Sequence, residues 1–106
     1  MSLRMKHGVS INGIKPEMVI GINIAHGYFL SQGIREMVVT SVMDGKHRTG
    51  SSHYVGYAAD LRTWAIESDN LAEFTQGLAE ELGEEFDVVL KKDHIHVEFQ
   101  PKKRGR

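Results

Sequence analysis

The chain contains no cysteine, which removes disulfides and thiolate metal sites together. Any transition metal must then be held by imidazole and carboxylate, for which 6 His and 14 Asp and Glu residues are available. A marked excess of one sign of charge is also missing. The formal net charge of −1 does not suit a protein that binds nucleic acid electrostatically over its whole surface. Long apolar runs are absent, so no segment reads as a membrane span. Met1 to Asn12 lacks the apolar stretch of a signal peptide, so the chain is expected to be cytoplasmic as synthesised. No internal repeat or low-complexity segment stands out.

What is present is globular. Hydrophobic residues make up 41% of 106 residues and charged residues 25%, the balance of one domain with one core. Residues 1–4 read as an added leader before Met5, and Met5 to Ile14 reads as a short strand or a lead-in. Pro16 suits the first turn of a helix. Ile14, Met18, Ile22, Ala25 and Phe29 follow at helical spacing, with Gly33 as the stop. Gly21 and Gly27 weaken that helix, so packing has to support it. His26 reads as a helix-surface or core histidine, not a ligand.

Glu36 to Met43 is β-branched and short, as a strand would be. Asp44 to Ser52 is a polar loop. Ala58 to Trp64 reads as a second strand. Ser68, Asp69 and Asn70 offer N-caps for a helix carrying Leu71, Phe74, Leu78 and Leu82 and ending at Gly83. Phe86 to Leu90 and Ile95 to Phe99 read as two further strands, joined tightly through Lys91, Lys92 and Asp93. The expected class is α+β: a single antiparallel-sheet domain with helices packed on it. Residues 101–106 form a basic tail, read as a frayed end.

Two segments carry chemistry. The first runs from Ser51 through His53, Gly56 and Ala58 to Asp60; the second is Asp93-His94-Ile95-His96-Val97-Glu98. On one straight strand, His53 and Asp60 would lie roughly 23 Å apart and on opposite faces. A metal shared between them requires a turn over residues 54–57, and Gly56 is suited to it. In the second segment, strand alternation sends Ile95, Val97 and Phe99 to the core. His94, His96 and Glu98 share the other face.

The first segment resembles the S-x-H-x-x-G-x-A-x-D signature of the zinc D-alanyl-D-alanine carboxypeptidase and dipeptidase family. Phage L-alanyl-D-glutamate endolysins and the Hedgehog signalling domain share that fold. Ser51, His53, Gly56, Ala58 and Asp60 match all five signature positions. The second segment resembles the family's [ED]-x-x-H motif through Asp93 and His96. It equally resembles the H-x-H motif of related wall-cutting metallopeptidases through His94 and His96.

The resemblance implies a Hedgehog/DD-peptidase-like fold and one Zn2+ per chain, held by His53, Asp60 and His96. It implies Asp93 as catalytic acid/base, His94 as an assisting residue, and Ser51 facing the substrate. Many family members carry an arginine after the strand that precedes the loop. Here Val42-Met43-Asp44 occupies that region, and by the resemblance Arg48, in the loop, is the candidate substitute, with Ser51 and Arg48 as the expected substrate-binding residues.

Two imidazoles and a carboxylate leave zinc an open position for water, and a nearby acid can move the proton of that water. The expected function is therefore a zinc peptidase acting on peptidoglycan peptides, of carboxypeptidase, dipeptidase or endolysin type. A phage or prophage enzyme would need a lysis system to reach the wall. Two alternatives stand beside it: a zinc-bearing binding domain of the same fold without catalysis, and a metal-free interaction domain using the basic tail. Which bond is cut and the oligomeric state are open at this level.

Overall fold

The computed structural model describes residues 2–9, 14–42 and 58–100. In order, these form β1 (Ser2–Met5), α1 (Pro16–Ser31), β2 (Glu36–Val42), β3 (Ala58–Arg62), α2 (Leu71–Leu82), β4 (Phe86–Leu90) and β5 (His94–Phe99). The strands make one mixed sheet in the order β1-β2-β3-β5-β4. With two helices on it, the fold is α+β.

One expectation is corrected. The sheet is not wholly antiparallel, because β1 pairs with β2 in parallel, Ser2 opposite Glu36 through Met5 opposite Val39. Helix α1 lies between these strands in the chain and returns it to run in the same direction, as parallel neighbours require. The other three pairs are antiparallel. The first strand also lies earlier than the expected Met5–Ile14 segment and includes residues 2–4.

Helix α1 starts on Pro16 without a side-chain cap. It ends in a Schellman motif: the Ile34 N–H donates to the Phe29 carbonyl at 2.9 Å, the Gly33 N–H to that of Leu30 at 3.0 Å. Gly33 takes φ +83° there, a conformation open to glycine at little cost. Inside the helix, Gly21 lets β4 close in. A Cβ at that position would lie 2.6 Å from the Phe86 ring. The packing demanded by this weak helix is therefore real at Gly21; nothing stands within 4 Å of Gly27 in the same sense. Helix α2 follows a 3-10 turn at Ser68–Asn70, and none of the three expected N-caps makes a side-chain capping bond.

The core lies between the helices and one face of the sheet. It contains Met18, Ile22, Ala25 and Phe29 from α1, and Phe74, Leu78 and Leu82 from α2. Met37, Val39, Val42, Ala59, Leu61, Ile95 and Val97 come from the strands. Phe29 meets Phe74 edge-on, with ring centroids 4.9 Å apart, a preferred aromatic geometry. Val39 and Val42 both reach this core, although three positions apart in a strand. A bulge allows it: Val39 pairs with Leu61 but Ser41 with Asp60, so two residues of β2 stand against one of β3. Among the described residues, no helix is long and apolar enough to cross a membrane.

Candidate metal and catalytic centre

The sheet face away from the helices carries the polar residues of β3 and β5. Alternation buries Ala59 and Leu61 and leaves Asp60 and Arg62 on this face. On β5 it buries Ile95 and Val97 and leaves His94, His96 and Glu98. Strand order then matters more than sequence distance. Because β3 and β5 are neighbours, Asp60 stands directly opposite His96, and Arg62 opposite His94.

The side chains meet as that register requires. The His96 Nδ1 lies 2.9 Å from Asp60 Oδ1, and the His94 Nε2 lies 3.6 Å from Asp60 Oδ2. The other nitrogen of each ring also faces a carboxylate. His96 Nε2 is 2.9 Å from Glu98 Oε1, and His94 Nδ1 is 2.8 Å from Asp93 Oδ1. The Gln100 amide donates to the second Glu98 oxygen. A chain of polar contacts thus runs from Asp93 through His94, Asp60, His96 and Glu98 to Gln100. Asp60 and His96 are each 17% exposed, whereas Asp93 is 76% exposed.

The electrostatics follow these contacts. The hydrogen bond to Asp60 raises the His96 imidazole above its ordinary value; burial opposes the rise, and Glu98 adds to it. The hydrogen bond to His94 holds the Asp93 carboxyl below the usual carboxylate range. A depressed pKa makes Asp93 a weaker base, while its contact orients the imidazole beside it.

Two of the three expected ligands, Asp60 and His96, are therefore brought together, and their types suit zinc. The third, His53, lies outside the described residues, as do Ser51, Arg48 and the expected turn over residues 54–57. Among the described residues, no group of three or more His, Asp or Glu is placed to hold a metal ion by itself. The Nε2 of His26 is buried with no hydrogen-bond partner among the described residues.

Sequence reasoning left out Glu98, Gln100 and Arg62 as site residues. The signal for all three was the period of two, since Arg62 shares its face with Asp60, and Glu98 and Gln100 theirs with His96. Compared with known family models, curated proteins and solved structures, the chain matches none of them.

Proposed function

We propose that the protein is a zinc-dependent peptidase hydrolysing a peptide bond in peptidoglycan peptides, of carboxypeptidase, dipeptidase or endolysin type, with a Hedgehog/DD-peptidase-like fold. The observation that carries this reading is the cross-strand meeting of Asp60 and His96 at 2.9 Å. Two residues 36 positions apart, each singled out by a separate motif, come together on one polar face. His53 is the third ligand in this reading, one Zn2+ being bound per chain.

When bound, zinc supplies Lewis-acid polarisation of the scissile carbonyl and lowers the pKa of a water molecule. The protein's own residues do the rest. In the zinc-loaded protein, Glu98 would accept the Nε2–H of neutral His96, which would fix the tautomer and free Nδ1, the nitrogen on the Asp60 side, to serve as the ligand atom. Asp93 accepts the Nδ1–H of His94 and leaves Nε2 directed at Asp60. His94 Nε2 is then the group nearest the centre that can take a proton and return it to the leaving amine. Asp93, motif acid though it is, acts here through His94. The contact pattern thus favours His94 over Asp93 as the residue that moves the proton.

Digestion of purified peptidoglycan with zinc-loaded protein tests the reading. New amino termini identified by mass spectrometry, lost when a chelator removes the metal, are the expected result. Intact peptides after prolonged incubation would reject it in favour of a zinc-bearing domain without catalysis.

A further inference from the structure

Strand β4 closes the sheet at one edge, with β5 as its only sheet neighbour among the described residues. The ladder to β5 shows which way its backbone groups point. The Gln100 N–H donates to the Glu85 carbonyl at 2.6 Å, and the Lys91 N–H to that of His94 at 2.8 Å. In an antiparallel ladder such bonded positions come at every second residue. Glu85, Asp87, Val89 and Lys91 therefore turn their N–H and C=O towards β5, while Phe86, Val88 and Leu90 turn theirs outward. The Phe86 N–H is already engaged by the Gly83 carbonyl at 3.2 Å. The rim of the sheet is thus made by the N–H and C=O of Val88 and Leu90 and the C=O of Phe86.

Proteins blunt such an edge with proline, lysine or a covering segment. Strand β4 reads Phe86-Asp87-Val88-Val89-Leu90, with neither proline nor lysine. Val89 is 44% exposed and Leu90 36%. The opposite edge, β1, is blunted by a charge: Arg4 lies there, ion-paired with Glu36 at 3.4 Å.

The flanks of β4 say what covers it. Glu84 and Glu85 precede the strand, and Lys91 and Lys92 follow it. Turned antiparallel on itself about Val88, the stretch is complementary in charge. Glu84 and Glu85 of one copy come beside Lys92 and Lys91 of the other, and the reverse. The same alignment sets Phe86 opposite Leu90 and Val88 opposite Val88, outward backbone against outward backbone. Moving the centre by half a residue would set outward groups against inward ones. Centring on Asp87 would oppose the two Asp87 carboxylates, and centring on Val89 would oppose Glu85 with Asp93. Parallel self-pairing would bring like charges together along the whole stretch.

We propose that two copies of the chain pair through β4, antiparallel about Val88, and join their sheets into one. The contact is isologous and closed, the same patch being used on both sides. Backbone hydrogen bonds run each way between the two Val88 residues, and from each Leu90 N–H to the Phe86 carbonyl of the other copy. Opposed residues share a face, so both helix layers lie on one side of the joined sheet and both polar faces on the other. A strand of five residues is a small contact, and the dimer is therefore weak and reversible. The proposal does not depend on the peptidase reading.

Sedimentation equilibrium of the whole chain over a rising concentration series tests it, and a reversible monomer–dimer equilibrium is expected. K91E/K92E sets like charges opposite each other at both ends and should weaken the dimer roughly 10-fold or more; E84K/E85K should do the same. An equimolar mixture of these two variants should restore dimerisation, and so should the E84K/E85K/K91E/K92E variant on its own. Amide hydrogen exchange of the wild type gives a reading without any substitution. The Val88 and Leu90 amides should exchange more slowly at high than at low protein concentration, because pairing protects them. A chain that stays monomeric up to millimolar concentration overturns the proposal. So does a dimer that both charge reversals leave intact, a mixture no tighter than its separate variants, or a dimer whose Val88 and Leu90 amides exchange as fast as in the monomer.

Discussion

The two faces of the sheet use the same strands for opposite purposes. On the helix side, Ala59, Leu61, Ile95 and Val97 are closed into the core, where their contribution is area removed from water. On the other side, Asp60, Arg62, His94, His96 and Glu98 alternate with them, part-buried, and polar contacts join Asp60, His94, His96 and Glu98. The core face sets the register, because a slip by one residue would turn every side chain over. The polar face inherits that register, and so two distant residues meet at 2.9 Å. Stability and site are thus separable by substitution although they share a backbone.

The largest effect expected is on the core side. Phe29→Ala removes a ring that is 1% exposed and packed on Phe74. It should cost about 3–5 kcal/mol of unfolding free energy, the scale for a buried aromatic. Urea unfolding checks this, and zinc content per folded molecule should not change. A comparable zinc loss in the folded fraction would mean that the two faces are not separable.

On the polar side, His94→Ala should lower turnover on wall peptides roughly 100-fold or more, the scale of general acid–base catalysis, with the fold retained by circular dichroism. Asp93→Asn should cost less, since it removes only the group that orients His94. A larger loss in Asp93→Asn would return the proton-moving role to Asp93.

Glu98→Gln comes next. Losing the carboxylate that orients His96 should weaken zinc binding by roughly 10- to 100-fold, the usual consequence of removing a ligand's hydrogen-bond partner. Competition against a chromophoric chelator measures it. An unchanged affinity would make Glu98 a solvated acid and nothing more.

The smallest effect is pH dependence. The His96 pKa is raised in the folded state. Its contribution to metal-free stability is therefore fully present below the unfolded value of about 6.5 and is lost as pH rises through the higher folded value. Urea unfolding in the presence of a chelator should show that decline from mildly acidic towards alkaline pH, and His96→Gln should remove it.

How far the sequence carries this account differs between the two faces. Helix α1 is legible because Met18, Ile22, Ala25 and Phe29 recur at 3.6 spacing and Pro16 and Gly33 bracket them. Strands β2, β3, β4 and β5 are legible from β-branched or alternating runs. The parallel pairing of β1 is not, because Ser2–Met5 carries no strong strand pattern and its partner lies beyond a whole helix. Asp60 and His96 are legible as site residues from their motifs, but their meeting depends on β3 lying beside β5 with β4 outside. That order follows from long-range pairing across α2, which no local window contains. Glu98 and Arg62 were missed because a single charged residue on a strand looks solvated until its cross-strand neighbour is known.

The central claim is that Asp60 and His96 hold one zinc ion together with His53. It is tested most directly by metal analysis of the dialysed wild type and of His53→Ala, Asp60→Ala and His96→Ala, each checked for folding. About one zinc per chain in the wild type and almost none in the three folded variants is the result expected of a single three-ligand site. Full zinc in all three variants, or none in the wild type after saturation, would contradict it.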